Sequence, residues 1–170
     1  QGGQLAGEAD RGRQGLAVGH DLRVAAEGAS FGVLNRRVGV PLVDLGTVRL
    51  PRAVGHGRAM DLILTGRVVG AAEALAMGLV NRVVADGQAL AAAVSLAREL
   101  AALPQTALRN DRRSAIEQWG LPEPEAAANE LRRGLDTLAS GEAATGAAGF
   151  AAGQGRHGSA FPRSPESETR

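Results

Sequence analysis

The chain has 170 residues, 44% hydrophobic and 22% charged, with 19 basic and 18 acidic side chains and no cysteine. This suits one globular domain with a substantial core and excludes disulfides, thiolate metal sites and cysteine nucleophiles. The formal charge is only +1, and the aromatic side chains are few (Phe31, Trp119, Phe150, Phe161), so nucleic acid is not an expected partner.

Every basic residue is arginine, which together with heavy Ala and Gly usage reads as codon bias of a GC-rich genome. No apolar run reaches the length of a membrane span, and the first residues show no charged-then-apolar leader pattern. A cytoplasmic location without membrane contact is the expectation.

Residues 1–20 are rich in Gly and Gln and sustain neither helical nor strand periodicity, which predicts a divergent or disordered lead-in. The stretch that organises the chain is 21–50. Its apolar run 22–26 reads as a buried strand, followed by a Glu27-Gly28 turn, Phe31-Gly32 and a loop built on Gly39 and Pro41. Asp44 is placed to cap a helix beginning near Leu45. Strand, glycine-bearing loop and capped helix form one α/β unit whose loop can line a pocket. No partner strand for 22–26 is visible upstream.

Pro51 and Gly55 mark a break, and 57–64 predicts a helix with Ala59, Met60, Ile63 and Leu64 on its inner side. An extended run at 67–69, a short helix at 71–77 stopped by Gly78 and a strand at 79–84 follow. After the Asp86-Gly87 turn, helices are predicted over 88–103, 106–119 and 125–139, with Pro124 in the first turn of the last. From Ser140 the chain turns Gly-, Ala- and Ser-rich, predicting a flexible tail. The expected organisation is therefore a lead-in at 1–20, a partial α/β core at 21–84, a helical region at 85–139 and a tail at 140–170.

The phrases DLRVAAEGASFG, GVPLVDLGTVRLPRAVG and AMDLILTGRVVGAAEALAMGLVNRVV, followed by LPQTALRNDRRSA, resemble the enoyl-CoA hydratase/isomerase (crotonase) superfamily. The likeness runs from about Asp21 to Ala139 and weakly to Phe161, as the C-terminal portion of such a chain. It implies an α/β fold, an incomplete ClpP/crotonase spiral of ββα units followed by a helical trimerisation region, often assembled as a dimer of trimers. It also implies an acyl-CoA thioester substrate, with CoA part of that substrate and no separate cofactor or metal. Such sites stabilise an enolate oxyanion with two backbone N–H groups, preorganised donors aimed where charge develops.

By the same resemblance, the oxyanion glycine slot falls near Gly12 and the first glutamate slot on Gly15, where the local sequence GRQGLAVGH does not keep the pattern. The second glutamate slot falls on Asn35. Hydration needs a base for water and an acid for Cα, normally two carboxylates. An amide does not exchange protons at neutral pH but orients a water; the alternative is that Asn35 is an ordinary polar loop residue. Asp44 is the nearest carboxylate, either an acid/base group, as aspartates are in some branches of the family, or simply a helix cap worth about 1 kcal/mol.

Gly39 shapes the same loop and Arg36 is a candidate for a CoA phosphate, since adjacent Arg36 and Arg37 do not both face one way. Arg156, with Phe150, sits where family members place a basic and an aromatic residue near a neighbouring subunit's CoA. His20 and His56 lack metal-ligand spacing, and Arg109, Arg112 and Arg113 with Asp111 form either an intersubunit or a solvated helix face. Two expectations follow. One is an acyl-CoA enzyme of the hydratase/isomerase type, impaired because neither glutamate position is kept and the family's N-terminal half is not seen. The other is a non-catalytic oligomerisation or binding module derived from a crotonase.

Overall fold

The computed structural model describes residues 20–153. They divide into two compact units, one ending at Ala97 and one beginning at Arg98.

In the first unit, strand β1 (Val24–Ala26) is buried at every position. Its partner comes from downstream: β4 (Arg82–Val84) runs parallel to it, with Val24 opposite Arg82 and Ala26 opposite Val84. A parallel pair requires a long crossover, and the intervening chain supplies it. Arg23 ties the entry of this pair together. Its backbone N–H donates to Asn81 Oδ1 at 2.8 Å, its Nη1 to His20 O at 2.6 Å and its Nε to Leu79 O. Burial pushes this guanidinium below its ordinary value, partly countered by Asp21.

The crossover contains a second ladder, antiparallel, between β2 (Ser30–Gly32) and β3 (Val68–Gly70), with Phe31 opposite Val69. Helix α1 (Gly46–Val54) buries Gly46, Leu50 and Val54, one stripe at fourfold spacing. Pro51 lies inside α1 and does not end it. The carbonyl that loses its usual helical donor belongs to Thr47, an exposed residue, where solvent is within reach. Helix α2 (His56–Thr65) buries Ala59, Leu62 and Ile63. Leu64, expected inward, is 63% exposed, because one step past Ile63 rotates a side chain by about 100°.

Helix α3 (Ala71–Ala76) follows β3, and the guanidinium of Arg67 joins Asp61 of α2 to Glu73 of α3 at 2.6 Å each. Leu50, Leu62, Leu79 and Val69 are the largest fully buried side chains. Each such burial contributes about 1.5–3 kcal/mol. Helix α4 (Ala89–Ala101) buries Ala89, Ala93 and Leu96 and carries the boundary between the two units within its length.

The second unit holds α5 (Gln105–Glu117), α6 (Glu123–Ala139) and α7 (Glu142–Ala151). Helix α7 corrects the expectation of a flexible segment directly after Ser140. Gly141 takes a left-handed conformation (φ 77°) that lets the chain turn, and the alanine-rich run beyond it has high intrinsic helicity. Ser114 is the only buried residue described in this unit. Polar bonds join α5 and α6: Arg133 Nε to Glu117 at 2.9 Å, and Asn110 Nδ2 to Thr137 Oγ1 at 2.9 Å. No helix among the described residues is long and apolar enough to cross a membrane.

Candidate functional site

The loop from β2 to α1 is built from its ends inward. Glu27 N–H donates to Val84 O and Gly28 N–H to Asp86 Oδ1, both at 2.8 Å, so the turn after β1 is held against the end of β4. After β2, residues 34–38 form a 3₁₀ turn. The carbonyl of Asn35 accepts the N–H of Gly39, which is left-handed at φ 70°, and of Val40 at 3.1 Å. The Asn35 backbone is therefore fixed at the head of the loop. Its half-buried side-chain amide makes no hydrogen bond among the described residues.

Arg37 donates from Nε to Gly66 O at 2.9 Å, which pins the 3₁₀ turn to the end of α2. Of the two adjacent arginines, Arg37 is thereby committed to the protein; Arg36 is exposed and carries no such bond among the described residues. At the other end of the loop, Asp44 does not occupy the cap position expected for it. Leu45 does, in a left-handed conformation (φ 65°), and α1 begins at Gly46. Asp44 Oδ1 still accepts the Gly46 N–H at 3.1 Å, capping the first helical donor from one residue further out.

Between those ends the loop exposes apolar side chains. Val38 is 74% and Val43 85% exposed, with Val40 about half exposed beside them. Exposed valines so close in sequence make this loop a candidate for meeting a ligand or partner. Asn35, Arg36, Gly39 and Asp44 thus share one loop of the first unit. Gly12 and Arg156 lie outside the described residues. Of the histidines, His56 is exposed at the start of α2, and His20 Nδ1 is buried without a partner among the described residues. No group of three or more potential metal ligands exists among the described residues.

Paired short strands wrapped by helices, with this glycine-shaped loop between strand and helix, define an α/β chain of the crotonase fold. A Mycobacterium abscessus structure of the enoyl-CoA hydratase/isomerase kind superposes with a TM-score of 0.80 at 32% identity, over 88% of this chain and 64% of that one. An enoyl-CoA hydratase structure from Mycobacterium tuberculosis H37Rv gives 0.77 at 32% identity, over 86% and 58%. In sequence, enoyl-CoA hydratase EchA19 of Mycobacterium tuberculosis is 38% identical over 145 residues, 85% of this chain and 54% of that protein. The family model described as enoyl-CoA hydratase/isomerase matches residues 4–153.

The chain therefore belongs to the enoyl-CoA hydratase/isomerase family. It spans about half the length of the relative EchA19. The family match also corrects the reading of the lead-in. Likeness begins at residue 4 and not near Asp21, so it takes in most of the lead-in.

Proposed function

We propose that this protein acts on an acyl-CoA thioester, by hydration of a 2-enoyl-CoA or a close variant, with residues 34–44 forming part of the acyl site. The observation that carries the reading is the loop itself. It offers exposed valines to an acyl chain, an amide at Asn35 without a hydrogen-bond partner among the described residues, and a carboxylate at Asp44. In hydration, water adds its oxygen to Cβ, electrons move into the thioester carbonyl, and the enolate is quenched by a proton at Cα. One carboxylate suffices for the balance. Asp44 takes the proton from water as the C–O bond forms and returns it to Cα, while Asn35 holds the water by hydrogen bonding.

An amide in place of a second carboxylate removes one proton-transfer group, so slow turnover is expected. The test is hydration of crotonyl-CoA by the purified chain, followed as loss of the enoyl thioester absorbance, beside Asp44→Asn. Measurable turnover abolished by Asp44→Asn supports the assignment. Undiminished turnover in Asp44→Asn removes Asp44 from the chemistry.

A second observation favours self-association through the second unit. Five of its larger apolar side chains, Trp119, Leu131, Leu135, Leu138 and Phe150, are each more than half exposed. A helical unit that buries no apolar side chain among its described residues gains stability by covering such a face, and a homotrimer is the assembly we assign to it. Sedimentation velocity decides: a monomer at micromolar concentration would rule the trimer out.

A further inference from the structure

The Asp44 carboxylate stands on a corner of three residues. Leu45 turns the chain there with a left-handed backbone (φ 65°), a conformation that the other described residues with positive φ adopt only as glycine. Across that turn Asp44 Oδ1 accepts the Gly46 N–H at 3.1 Å. Oδ2 makes no hydrogen bond among the described residues, and Asp44 is exposed. One oxygen is thus tied to the backbone at the start of α1, and the other is left for proton transfer.

Gly46 is buried, and its backbone lies outside the left-handed region, so conformation does not call for glycine at this position. Space does. A Cβ on residue 46 would lie 3.1 Å from Asp44 Oδ1 and 3.2 Å from Leu42 Cδ2, so a neighbour must give by a few tenths of an ångström. Leu42 is partly buried and packed against the hydrophobic core, where a retreat disturbs its contacts. Asp44 is short, exposed and held by one hydrogen bond. The carboxylate is therefore the neighbour that yields.

We infer that Gly46 is a positioning residue for the Asp44 carboxylate, an inference that rests on the reading of Asp44 as the proton carrier in hydration. Gly46 meets no substrate itself. It acts through Asp44, by donating its N–H and by leaving empty the space that a methyl group would take from Oδ1. Filling that space has a distinct signature. The fold loses little, because the displaced side chain is exposed and alanine is a better helix former than glycine. The chemistry loses more, because proton transfer requires hydrogen-bond reach and a misplacement of about 1 Å costs ~10²-fold. A shift of a few tenths of an ångström then costs on the order of tenfold.

The experiment measures crotonyl-CoA hydration and thermal unfolding of the native chain beside Gly46→Ala, Asp44→Asn and Gly57→Ala. In Gly46→Ala, kcat should fall about tenfold while KM stays within about twofold of native, the split expected when a group is misplaced and binding is not. Its melting temperature should be unchanged or raised. Gly57 lies in the first turn of α2 with nothing within 4 Å of an added Cβ, so Gly57→Ala should keep the native kcat. Native kcat in Gly46→Ala, beside an inactive Asp44→Asn, would overturn this inference and leave the hydratase reading standing. So would a lowered melting temperature accompanying the loss of kcat, because Gly46 would then be a packing residue. Turnover kept by Asp44→Asn, or absent from the native chain, would overturn the hydratase reading and this inference with it.

Discussion

The Glu142 carboxylate accepts the backbone N–H of Ala107 at 2.8 Å and that of Thr106 at 3.1 Å, closing the amino end of α5 from 35 residues away. The N-cap position of α5 is Pro104, which brings no side-chain acceptor, so the donors left open there are met by a neighbouring helix. These bonds hold the Glu142 carboxyl below the ordinary carboxylate value, Ala107 contributing most and Thr106 next. A depressed folded-state pKa means stability that is fully present above the unfolded value and is lost as pH falls through the folded one. The protection of α7 amides relative to their intrinsic exchange rates should therefore fall at acid pH in the native chain. In Glu142→Gln that protection should already be low at pH 7 and change little with pH.

Leu45 is the one non-glycine residue with positive φ among the described residues. A left-handed conformation costs an L-residue about 1–2 kcal/mol, whereas glycine adds an unfolded-state entropy cost of about 0.5–1 kcal/mol. The side chain is 52% exposed, so little packing is at stake. Leu45→Gly is expected to stabilise the chain by about 0.5 kcal/mol in urea unfolding. A loss of stability would show that the half-buried side chain contributes more than the strain costs.

Two leucines on one helix provide a sharper contrast. Leu62 is fully buried, and Leu64 faces solvent. Leu62→Ala should cost about 2–5 kcal/mol and Leu64→Ala no more than about 0.5 kcal/mol. Equal effects in denaturant melts would mean that Leu64 is covered in solution.

At Gly28, an added Cβ would lie 2.9 Å from Asp86 Oδ1, the atom that accepts the Gly28 N–H. Gly28→Ala therefore displaces that carboxylate and should cost about 1 kcal/mol, the worth of one hydrogen bond. Asp86→Ala should cost a similar amount, and the double variant no more than either alone. Additive losses would show that the two residues act independently.

For the chemistry, Asn35→Glu restores a carboxylate at the slot where the family resemblance calls for one. Positioned acid–base groups contribute about 10²–10⁴-fold, so the variant should hydrate crotonyl-CoA at least ~100-fold faster than the native chain. An unchanged rate with intact binding of acetoacetyl-CoA would mean that residue 35 does not face the reacting atoms.

Local chemistry decided much of this fold, and it was legible in order along the chain. Gly78 follows α3 where a stop was expected, with positive φ. The loop on Gly39 and the role of Asp44 in opening α1 were also readable, because turns and caps depend on residues within a few positions of one another. The family phrases are local as well, which is why the hydratase/isomerase likeness is legible in the sequence.

What no window of sequence contained were the meetings between distant residues. That β1 pairs with β4, that Phe31 faces Val69, and that Glu142 caps α5 all depend on which surfaces come together once the chain is compact. Asp44 was displaced from the cap by a left-handed Leu45, and Leu64 was turned outward by the rotation of α2 against the core. Propensity and capping are short-range terms carried by the sequence itself, whereas pairing and burial arise from long-range packing, which the tertiary structure alone decides.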